Sequence, residues 1–304
     1  MGARRPVGEL FFVGMKANRK RSIAVFGAGG KMGCRIVDHL KSNPNFRLAC
    51  VEVSGAGKAR IRQRGLEVID QEKALEDSDV IILALPDQLI GKVAQSVVPK
   101  ARPGAMIILL DPAVAHAGDL PTRKDIAYFV THPCHPSVFD YEEDPEARAD
   151  FFGGTKARHP IVCALLQGTE ANYKDGEALA RLFFAPVLRA HRITVEQMAI
   201  LEPAMAETIA AALIGVIREA MDEAVRRGVP PEAARDFIYG HIKVPLGIVF
   251  GLVDFTFSDG AKLIMQYGRE RLLQPDWKRL FDPDSVKEQV RTIVSGRLPP
   301  PNGI

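Results

Sequence analysis

The feature that most constrains this chain is a glycine-rich turn that links a short apolar run at 23–26 to a helical stretch at 31–41. Bare backbone N–H groups at a helix N-terminus suit a pyrophosphate, because any β-carbon there would hold the anion away. A glycine turn without a ligand is the alternative, but a position between a strand and a helix favours dinucleotide binding. We therefore predict cofactor contacts for Gly27, Ala28, Gly29, Gly30, Lys31, Met32 and Gly33.

Short apolar runs alternate with helical patterns through the first two thirds of the chain. A continuous apolar run such as 80–85 is typical of a parallel strand that is covered on both faces. The alternation predicts right-handed crossovers, and hence an α/β fold with a doubly wound, mostly parallel Rossmann sheet over 22–193. The predicted strands are 23–26, 48–53, 65–68, 80–85, 106–110, 127–131, 161–166 and 187–193, and the predicted helices among them are 31–41, 89–98 and 176–184.

The strand pattern stops near residue 194, and a long helical stretch follows to residue 227. Between 203 and 217 its only charge is Glu207, so this helix is apolar nearly all round and must be buried on most sides. A domain of about 110 residues can hardly bury it alone. We therefore predict that 194–304 is a smaller, all-helical domain that forms a homodimer. The further predicted helices are 232–249, 258–273 and 284–295.

The charge distribution argues against nucleic acid as a partner. The formal net charge is +3, but residues 1–21 contain six Lys or Arg and one Glu, which leaves a net charge of −2 on the remainder. A near-neutral body has no field that would concentrate phosphate backbones. We interpret 1–21 as a loose extension. Translation could begin at Met1 or at Met15, and the sequence leaves both starts open.

Neither a membrane span nor a secretory signal is predicted. The longest uncharged apolar stretches, 209–217 and 244–253, fall short of the roughly 18–20 residues that a bilayer requires. The apolar run at 10–13 is too short for the core of a secretory signal. The four cysteines are widely spaced, which favours free thiols over disulfides. We therefore expect a cytoplasmic protein.

Glu52 is the next predicted cofactor contact. It follows the second strand, 25 residues after Gly27. A carboxylate there accepts hydrogen bonds from the ribose hydroxyls and repels a 2′-phosphate, which favours NAD. The open alternative is NADP, whose extra phosphate would find cations at Lys58, Arg60 and Arg62.

Two strand ends supply further groups at the edge of the sheet. Ligands of doubly wound sheets lie outside the carboxyl ends of the strands. We therefore predict that Leu85, Pro86 and Asp87 pass beneath the cofactor and that Asp111 lies close by.

His132 and His135 follow the strand at 127–131 and lie between prolines, which hold them in place. An imidazole at the ligand edge is suited to act as a general base or to bind a metal ion. The alternative is a structural loop with one packed histidine. The spacing of a closed structural zinc site is absent from the sequence.

The start of the helical half carries more candidates. His191 ends the last strand, Glu196 follows it, and Glu202 precedes a proline. Residues before proline avoid the α conformation, so we expect a helix break that exposes Glu202. The alternative is that Glu202 simply caps the helix and that Glu196 is an acidic residue of its first turn. Lys243 is a rival catalytic residue, or else a solvated lysine.

Several strings of this sequence together resemble the D-apionate oxidoisomerase family. The most particular are His-Pro-Cys-His-Pro at 132–136 and the string at 194–203, and 27–33, 85–87 and 152–154 also match. The glycine turn alone is similar to that of dihydrodipicolinate reductases. The overall plan also resembles the 6-phosphogluconate dehydrogenase-like group, and the likeness runs from residue 22 to about residue 297.

This resemblance implies an NAD-dependent oxidoreductase that acts on a small branched sugar acid. Members oxidise D-apionate beside its carboxylate and rearrange it to 3-oxo-isoapionate. The migration requires a polarised ketone next to an alkoxide, which a divalent metal such as Zn²⁺ or Mg²⁺ stabilises well. We therefore assign His132 and Glu202 as metal ligands, and His135 or Glu196 as the catalytic base, with His132 also essential for catalysis.

Two other functions stay open at this point. The first is a plain NAD(P)-dependent hydroxyacid dehydrogenase in which Lys243 accepts the proton. The second is a regulatory protein that senses NAD(H) without chemistry, although a sensor has no need of the fixed histidines at 132 and 135.

Overall fold

A sheet flanked by helices forms the first part of the chain, and the computed structural model describes residues 19–299. Seven strands of these residues form one sheet in the order β2-β1-β3-β4-β5-β6-β7. They are β1 (Arg21–Phe26), β2 (Phe46–Val51), β3 (Val80–Leu83), β4 (Met106–Leu109), β5 (Ala127–Pro133), β6 (His159–Gln167) and β7 (Val187–Arg192). Neighbouring strands from β2 to β5 are parallel, β6 is antiparallel to β5, and β7 is parallel to β6. The predicted fold class, a doubly wound and mostly parallel sheet, is confirmed.

Seven helices accompany the sheet in the described part of this region. They are α1 (Lys31–Leu40), α2 (Gly55–Gln63), α3 (Gln71–Glu76), α4 (Asp87–Val97), α5 (Ala113–Ala117), α6 (Pro145–Ala149) and α7 (Glu170–Phe183). Ile36, Val37 and Leu40 on one face of α1 are buried, as are all four residues of β3 and of β4. These strands are apolar at every position because helices cover both faces of the sheet.

The order of the strands reverses beside β1, which lies between β2 and β3. The predicted strand at 65–68 is wrong, because Val68 makes only one parallel bridge, to Cys50 on the outer side of β2. That segment has two apolar side chains, too few to form a covered strand. In sheets of this kind, ligands bind at the point of reversal, where the chain passes from β1 to α1.

Only part of the predicted extension can be compared with the structure. Arg21 is the first residue of β1 and is buried, so the sheet begins within the predicted range 1–21. The rest of that prediction, with the choice between Met1 and Met15, falls on residues 1–18, which lie outside the described residues.

The chain folds as two compact units. The first comprises residues up to Ala199 together with those from Lys287 onward, and the second is Ile200–Val286. The helices that follow β7 along the chain are α8 (Val195–Ala199), a π-helical segment (Ile200–Ala211), α9 (Ala212–Arg226), α10 (Pro231–Val249), α11 (Asp259–Leu272) and α12 (Pro283–Ser295). The predicted division at 193/194 gave α12 to the helical domain, whereas most of α12 belongs to the first unit, where Val290 is fully buried.

The predicted helix break at Glu202 is wrong. One helix runs from Val195 to Arg226, and Pro203 lies inside its π-helical segment. The wider i→i+5 turn accommodates the proline ring and its missing N–H, so the helix continues where an α-helix would kink.

This same helix, Val195–Arg226, is long and apolar enough to cross a membrane by length and composition, with a mean hydropathy of 1.7 over 18 residues. The core helix of a soluble protein meets the same two criteria. Of the two apolar stretches that the sequence analysis considered, only 209–217 lies in this helix, and the continuity of the helix joins further residues to it on both sides.

A buried ion pair between Arg21 in β1 and Asp175 in α7 provides a test of the packing. The two side chains are 9% and 11% exposed. Replacing Asp175 by Asn removes the charge that faces the buried guanidinium, so we expect the free energy of unfolding to fall by about 3 kcal/mol in urea titrations. Asp77→Asn is the control, because its ion pair with Arg47 is exposed and should leave the midpoint unchanged. Equal unfolding midpoints for the two variants would contradict a stabilising role for the buried pair Arg21–Asp175.

Candidate functional site

The predicted dinucleotide turn has a backbone that only glycine permits at its two ends. Gly27 has a φ of +72°, and a β-carbon there would lie 2.9 Å from Cδ2 of Leu85. A β-carbon on Gly33 would lie 2.7 Å from the Cα of Ala28. The N–H of Gly30 donates to the carbonyl of Gly27 at 2.9 Å and closes the turn. The chain is therefore folded tightly against itself, with no side chain in the way of a ligand.

The first turn of α1 is open to an anion. Gly30 is its N-cap and has no side chain with which to cap the helix, and no acidic residue lies in the first turn. Lys31 is exposed and Met32 half-buried, whereas Ala28 is buried. The partial positive charge of a helix N-terminus and its unpaired N–H groups make this a site for a pyrophosphate.

Glu52 lies against the same turn. Its Oε2 accepts a hydrogen bond from the N–H of Gly29 at 3.0 Å, and its Oε1 accepts from the N–H groups of Val53 and Ser54, both at 2.9 Å. Partial burial acts to raise the pKa of Glu52, but the bonds from Ser54, Gly29 and Val53 outweigh it and lower the pKa below its usual value. Glu52 is thus an ionised carboxylate at the predicted ribose position.

The turn at 85–87 lies beside the glycine turn. Leu85 approaches Gly27, and Pro86 is the N-cap of α4. Asp87 follows as its first residue, and burial together with the nearby carboxylate of Asp111 raises the pKa of Asp87 to about 6. The carboxyl ends of β3 and β4 therefore bring two carboxyl groups together at the edge of the sheet.

His132 and His135 lie together, as the sequence predicted. Their ring centroids are 6.1 Å apart and the rings are perpendicular. The Nδ1 of His132 lies 2.8 Å from the carbonyl of Leu110, and the Nδ1 of His135 lies 2.9 Å from that of Phe152. Because a carbonyl only accepts, each Nδ1 carries the proton of the neutral ring, and Nε2 is the ring atom with the chemistry to bind a metal ion or accept a proton.

Asp111 is the residue that sequence reasoning placed nearby without a role. One of its carboxylate oxygens and a ring nitrogen of His132 lie within 4.8 Å of each other. This spacing suits two ligands of one cation. The strand order was the missing information, because β4 and β5 are neighbours whose carboxyl ends bring residues 111 and 132 side by side.

Glu196 and His191, two of the other predicted residues, do not belong to this pair. Glu196 lies in the first turn of α8, and a hydrogen bond with its own N–H and one with Thr194 lower its pKa. A lowered pKa makes it a weak base, and its electrostatic interaction with His116 lowers the pKa further. His191 lies in β7, two strands from His132. Glu202 belongs to the second unit.

Three basic side chains on one face of α1 hold the segment at 152–154, which sequence reasoning left without a structural role. The Nζ of Lys31 lies 3.2 Å from the ring centroid of Phe152, and the guanidinium of Arg35 packs on Gly154. The Nε2 of His39 donates to the carbonyl of Gly154 at 2.6 Å. Their i, i+4, i+8 spacing is the sequence signal that would have revealed this face.

Comparisons with known proteins agree with this geometry. Residues 140–294 match the family model described as phosphogluconate dehydrogenase (decarboxylating) C-term. A D-apionate oxidoisomerase of Cupriavidus necator is 49% identical over 276 residues, which are 90% of this chain and 100% of that protein. A D-apionate oxidoisomerase of Rhizobium rhizogenes is 48% identical over 273 residues, covering 90% of this chain and 99% of that one.

A crystal structure gives the same result. It is that of a semialdehyde dehydrogenase NAD-binding protein from Cupriavidus necator in complex with calcium and NAD. Its TM-score is 0.87 at 49% identity, and the match covers 90% of this chain and 99% of that one. The fold, the turn and these relatives define an enzyme of the Rossmann oxidoreductase class with a helical C-terminal domain. Within that class, the chain belongs to the D-apionate oxidoisomerase family, and the predicted resemblance is confirmed.

The raised pKa of Asp87 predicts a pH-dependent stability. A pKa of about 6 in the folded state against an ordinary 3.8 means that the folded protein holds this proton more tightly than the unfolded chain does. The stability that the proton contributes to folding is fully present below pH 3.8 and is lost as pH rises through 6. Between pH 4 and pH 8, the free energy of unfolding of Asp87→Asn should therefore rise by about 1 kcal/mol relative to that of the wild type, after discounting for partial exposure. The measurement is thermal unfolding across pH, without cofactor or added cation.

Asp140→Asn, at an exposed loop position, is the control and should follow the wild-type pH dependence. A constant difference between Asp87→Asn and wild type at all pH values would show that Asp87 titrates normally.

Proposed function

We propose that this chain is an NAD-dependent D-apionate oxidoisomerase, which oxidises C2 of D-apionate and rearranges the product to 3-oxo-isoapionate. The observation that carries the proposal is its identity of 49% with a D-apionate oxidoisomerase along that protein's whole length. The bare turn at 27–33 and the ionised Glu52 fit NAD, because they offer N–H groups to the pyrophosphate and a carboxylate to the ribose. Bound NAD would accept the hydride that leaves C2.

The pair Asp111 and His132 fits a divalent cation. A carboxylate and an imidazole are common ligands of such ions, and the Cupriavidus necator structure is a complex with calcium. A cation there would polarise the 2-keto oxygen and stabilise the neighbouring alkoxide. The sequence-based proposal of Glu202 as a further ligand is kept, with Zn²⁺ and Mg²⁺ as the ions first considered.

We assign the proton transfer to His135. Its Nδ1–H is held by the carbonyl of Phe152, so its Nε2 is the basic atom, and the ring stands beside His132. It would take the proton of the tertiary hydroxyl at C3 while the bond from C3 to the hydroxymethyl group breaks and a new bond to C2 forms. C3 thereby becomes the ketone, and the former carbonyl oxygen on C2 becomes an alkoxide that takes up a proton. Glu196, the other predicted base, has a lowered pKa and is the weaker candidate.

The test of the activity is product analysis after incubation with NAD and D-apionate. We expect NADH and the skeletal isomer 3-oxo-isoapionate in equal amounts. An unrearranged 2-keto acid would instead support the hydroxyacid dehydrogenase with Lys243 as proton acceptor. Tight NADH binding without NADH formation on any branched sugar acid would support a sensor.

His132→Ala should lower turnover by about 10³-fold, because it removes a cation ligand from the reacting oxygens. NADH affinity, measured by fluorescence titration, should stay within about twofold, since the turn at 27–33 is untouched. His191→Ala is the matched control, two strands away and exposed. Unchanged turnover in His132→Ala would remove this residue from the mechanism. Glu202→Gln tests the further proposed ligand, and we expect a cation titration to show weaker cation binding than in the wild type.

We also propose a homodimer formed through the second unit, in a cytoplasmic enzyme. Within the described chain, neither α9 nor α11 has a buried residue, although both are rich in large apolar side chains. Exposed apolar area of this extent marks an interface. It includes Leu213, Ile214, Phe237, Phe255, Leu263 and Ile264. The four cysteines form no disulfide in the described residues, which accords with a reducing compartment.

Ile264→Asp should convert the dimer to a monomer in sedimentation velocity at micromolar concentration, because it places a charge in an apolar contact. Ile264 is 70% exposed in the single chain, so the variant has little reason to unfold it. Leu188→Asp, in β7 of the first unit, is the control and should stay dimeric. A monomeric wild type would contradict the proposal.

A further inference from the structure

We propose that Gly57 is a positioning residue that fixes the carboxylate of Glu52 and thereby sets the preference for NAD over NADP. The inference rests on the proposed use of a dinucleotide. It adds a determinant that lies outside the glycine turn, in the first turns of α2, and that touches neither the pyrophosphate nor the reacting carbons.

The carboxylate of Glu52 has a nearly complete set of partners. Oε1 accepts from the N–H groups of Val53 and Ser54 and from the Ser54 hydroxyl at 3.0 Å, while Oε2 accepts from the N–H of Gly29. A carboxylate has about four lone-pair positions in the plane, two on each oxygen. The three donors to Oε1 share its two positions, whereas the single donor to Oε2 takes one of two. Oε2 therefore keeps one for a ribose hydroxyl, and its direction is set by the bonds already made.

Gly57 closes this arrangement from the side of α2. It is buried, and a β-carbon on it would lie 2.6 Å from Oε2 and 2.7 Å from Cγ of Glu52. Carbon atoms do not approach so closely, so any side chain at position 57 would push the carboxylate away. Glu52 is a flexible side chain at this point, so it would move rather than unfold α2.

The turn contacts Gly57 as well. A β-carbon on Gly29 would overlap the backbone of Gly57, so the two glycines pack main chain to main chain. The carboxylate of Glu52 bridges them on one side, with its bond to the N–H of Gly29. The contacts of Gly57 with both Gly29 and Glu52 therefore fix the position of the carboxylate relative to the glycine turn.

Basic side chains of α2 lie near the glycine turn and Glu52. The Nε of Arg60 donates to the carbonyl of Gly29 at 2.6 Å, which places an exposed guanidinium at the turn. Lys58 and Arg62 lie on the same helix. With Glu52 in place, its charge opposes a 2′-phosphate, and with Glu52 displaced these cations would favour one. Gly57 thus decides which of two sequence-based alternatives applies.

Gly57→Ala is the test, and Gly55→Ala is its matched control. Both glycines lie in the first turns of α2, but a β-carbon at Gly55 meets nothing within 4 Å. In Gly57→Ala we expect the Kd for NADH to rise about tenfold and the ratio of NADPH to NADH affinity to rise by a similar factor, since the displaced carboxylate loses its hydrogen bond to the ribose. At saturating NAD, kcat should stay within about twofold. Gly55→Ala should match wild type in all three.

A compensating variant keeps the proposal testable if Gly57→Ala folds poorly. Glu52→Asp shortens the acid by one methylene and makes room for the new methyl group, so the double variant Glu52→Asp/Gly57→Ala should regain part of the NADH affinity. The proposal is overturned if Gly57→Ala binds NADH with wild-type affinity and preference, or if the double variant is weaker than either single one. Failure of the wild type to bind NADH would overturn the proposed function instead.

Discussion

The close approach of main chain to main chain after β1 is the constraint on which the rest of this structure depends. Gly27 and Gly33 let the turn fold onto itself and onto the 85–87 turn, so α1 begins directly at the carboxyl edge of the sheet. A single β-carbon at either glycine would move α1 outward. The same backbone also carries the N–H of Gly29 that fixes Glu52, so the ribose and pyrophosphate positions share one reference point.

The parallel part of the sheet turns that constraint into a site. Because β1, β3, β4 and β5 run in the same direction, their carboxyl ends meet at one edge. The residues that follow them are the glycine turn, Asp87, Asp111 and His132. The carbonyl of Leu110 then selects the tautomer of His132, so that a backbone group one residue before Asp111 orients the imidazole that we propose as a cation ligand. Topology, rather than any local motif, brings these groups together.

The sequence predicted what short-range pattern determines and failed where distant contacts decide. The runs at 80–85 and 106–110 were correct because a covered parallel strand must be apolar throughout. Helix α2 was missed because it is polar, glycine-rich and held by contacts to the turn rather than by an apolar face. The helix break at Glu202 was wrong because the rule on proline assumes α geometry, and a π-helical turn escapes it.

Helix α1 carries two functions that are mechanically linked. Its N-terminus faces the cofactor position, and its basic face, through Lys31, Arg35 and His39, holds the segment at 152–154. That segment supplies the Phe152 carbonyl that orients His135. The proposed base is therefore positioned by the same helix that we propose as the pyrophosphate site, although some hundred residues separate the two in sequence. Proton transfer and hydride transfer both require placement to within about 0.5 Å, and a shared helix provides that precision better than two independent loops would.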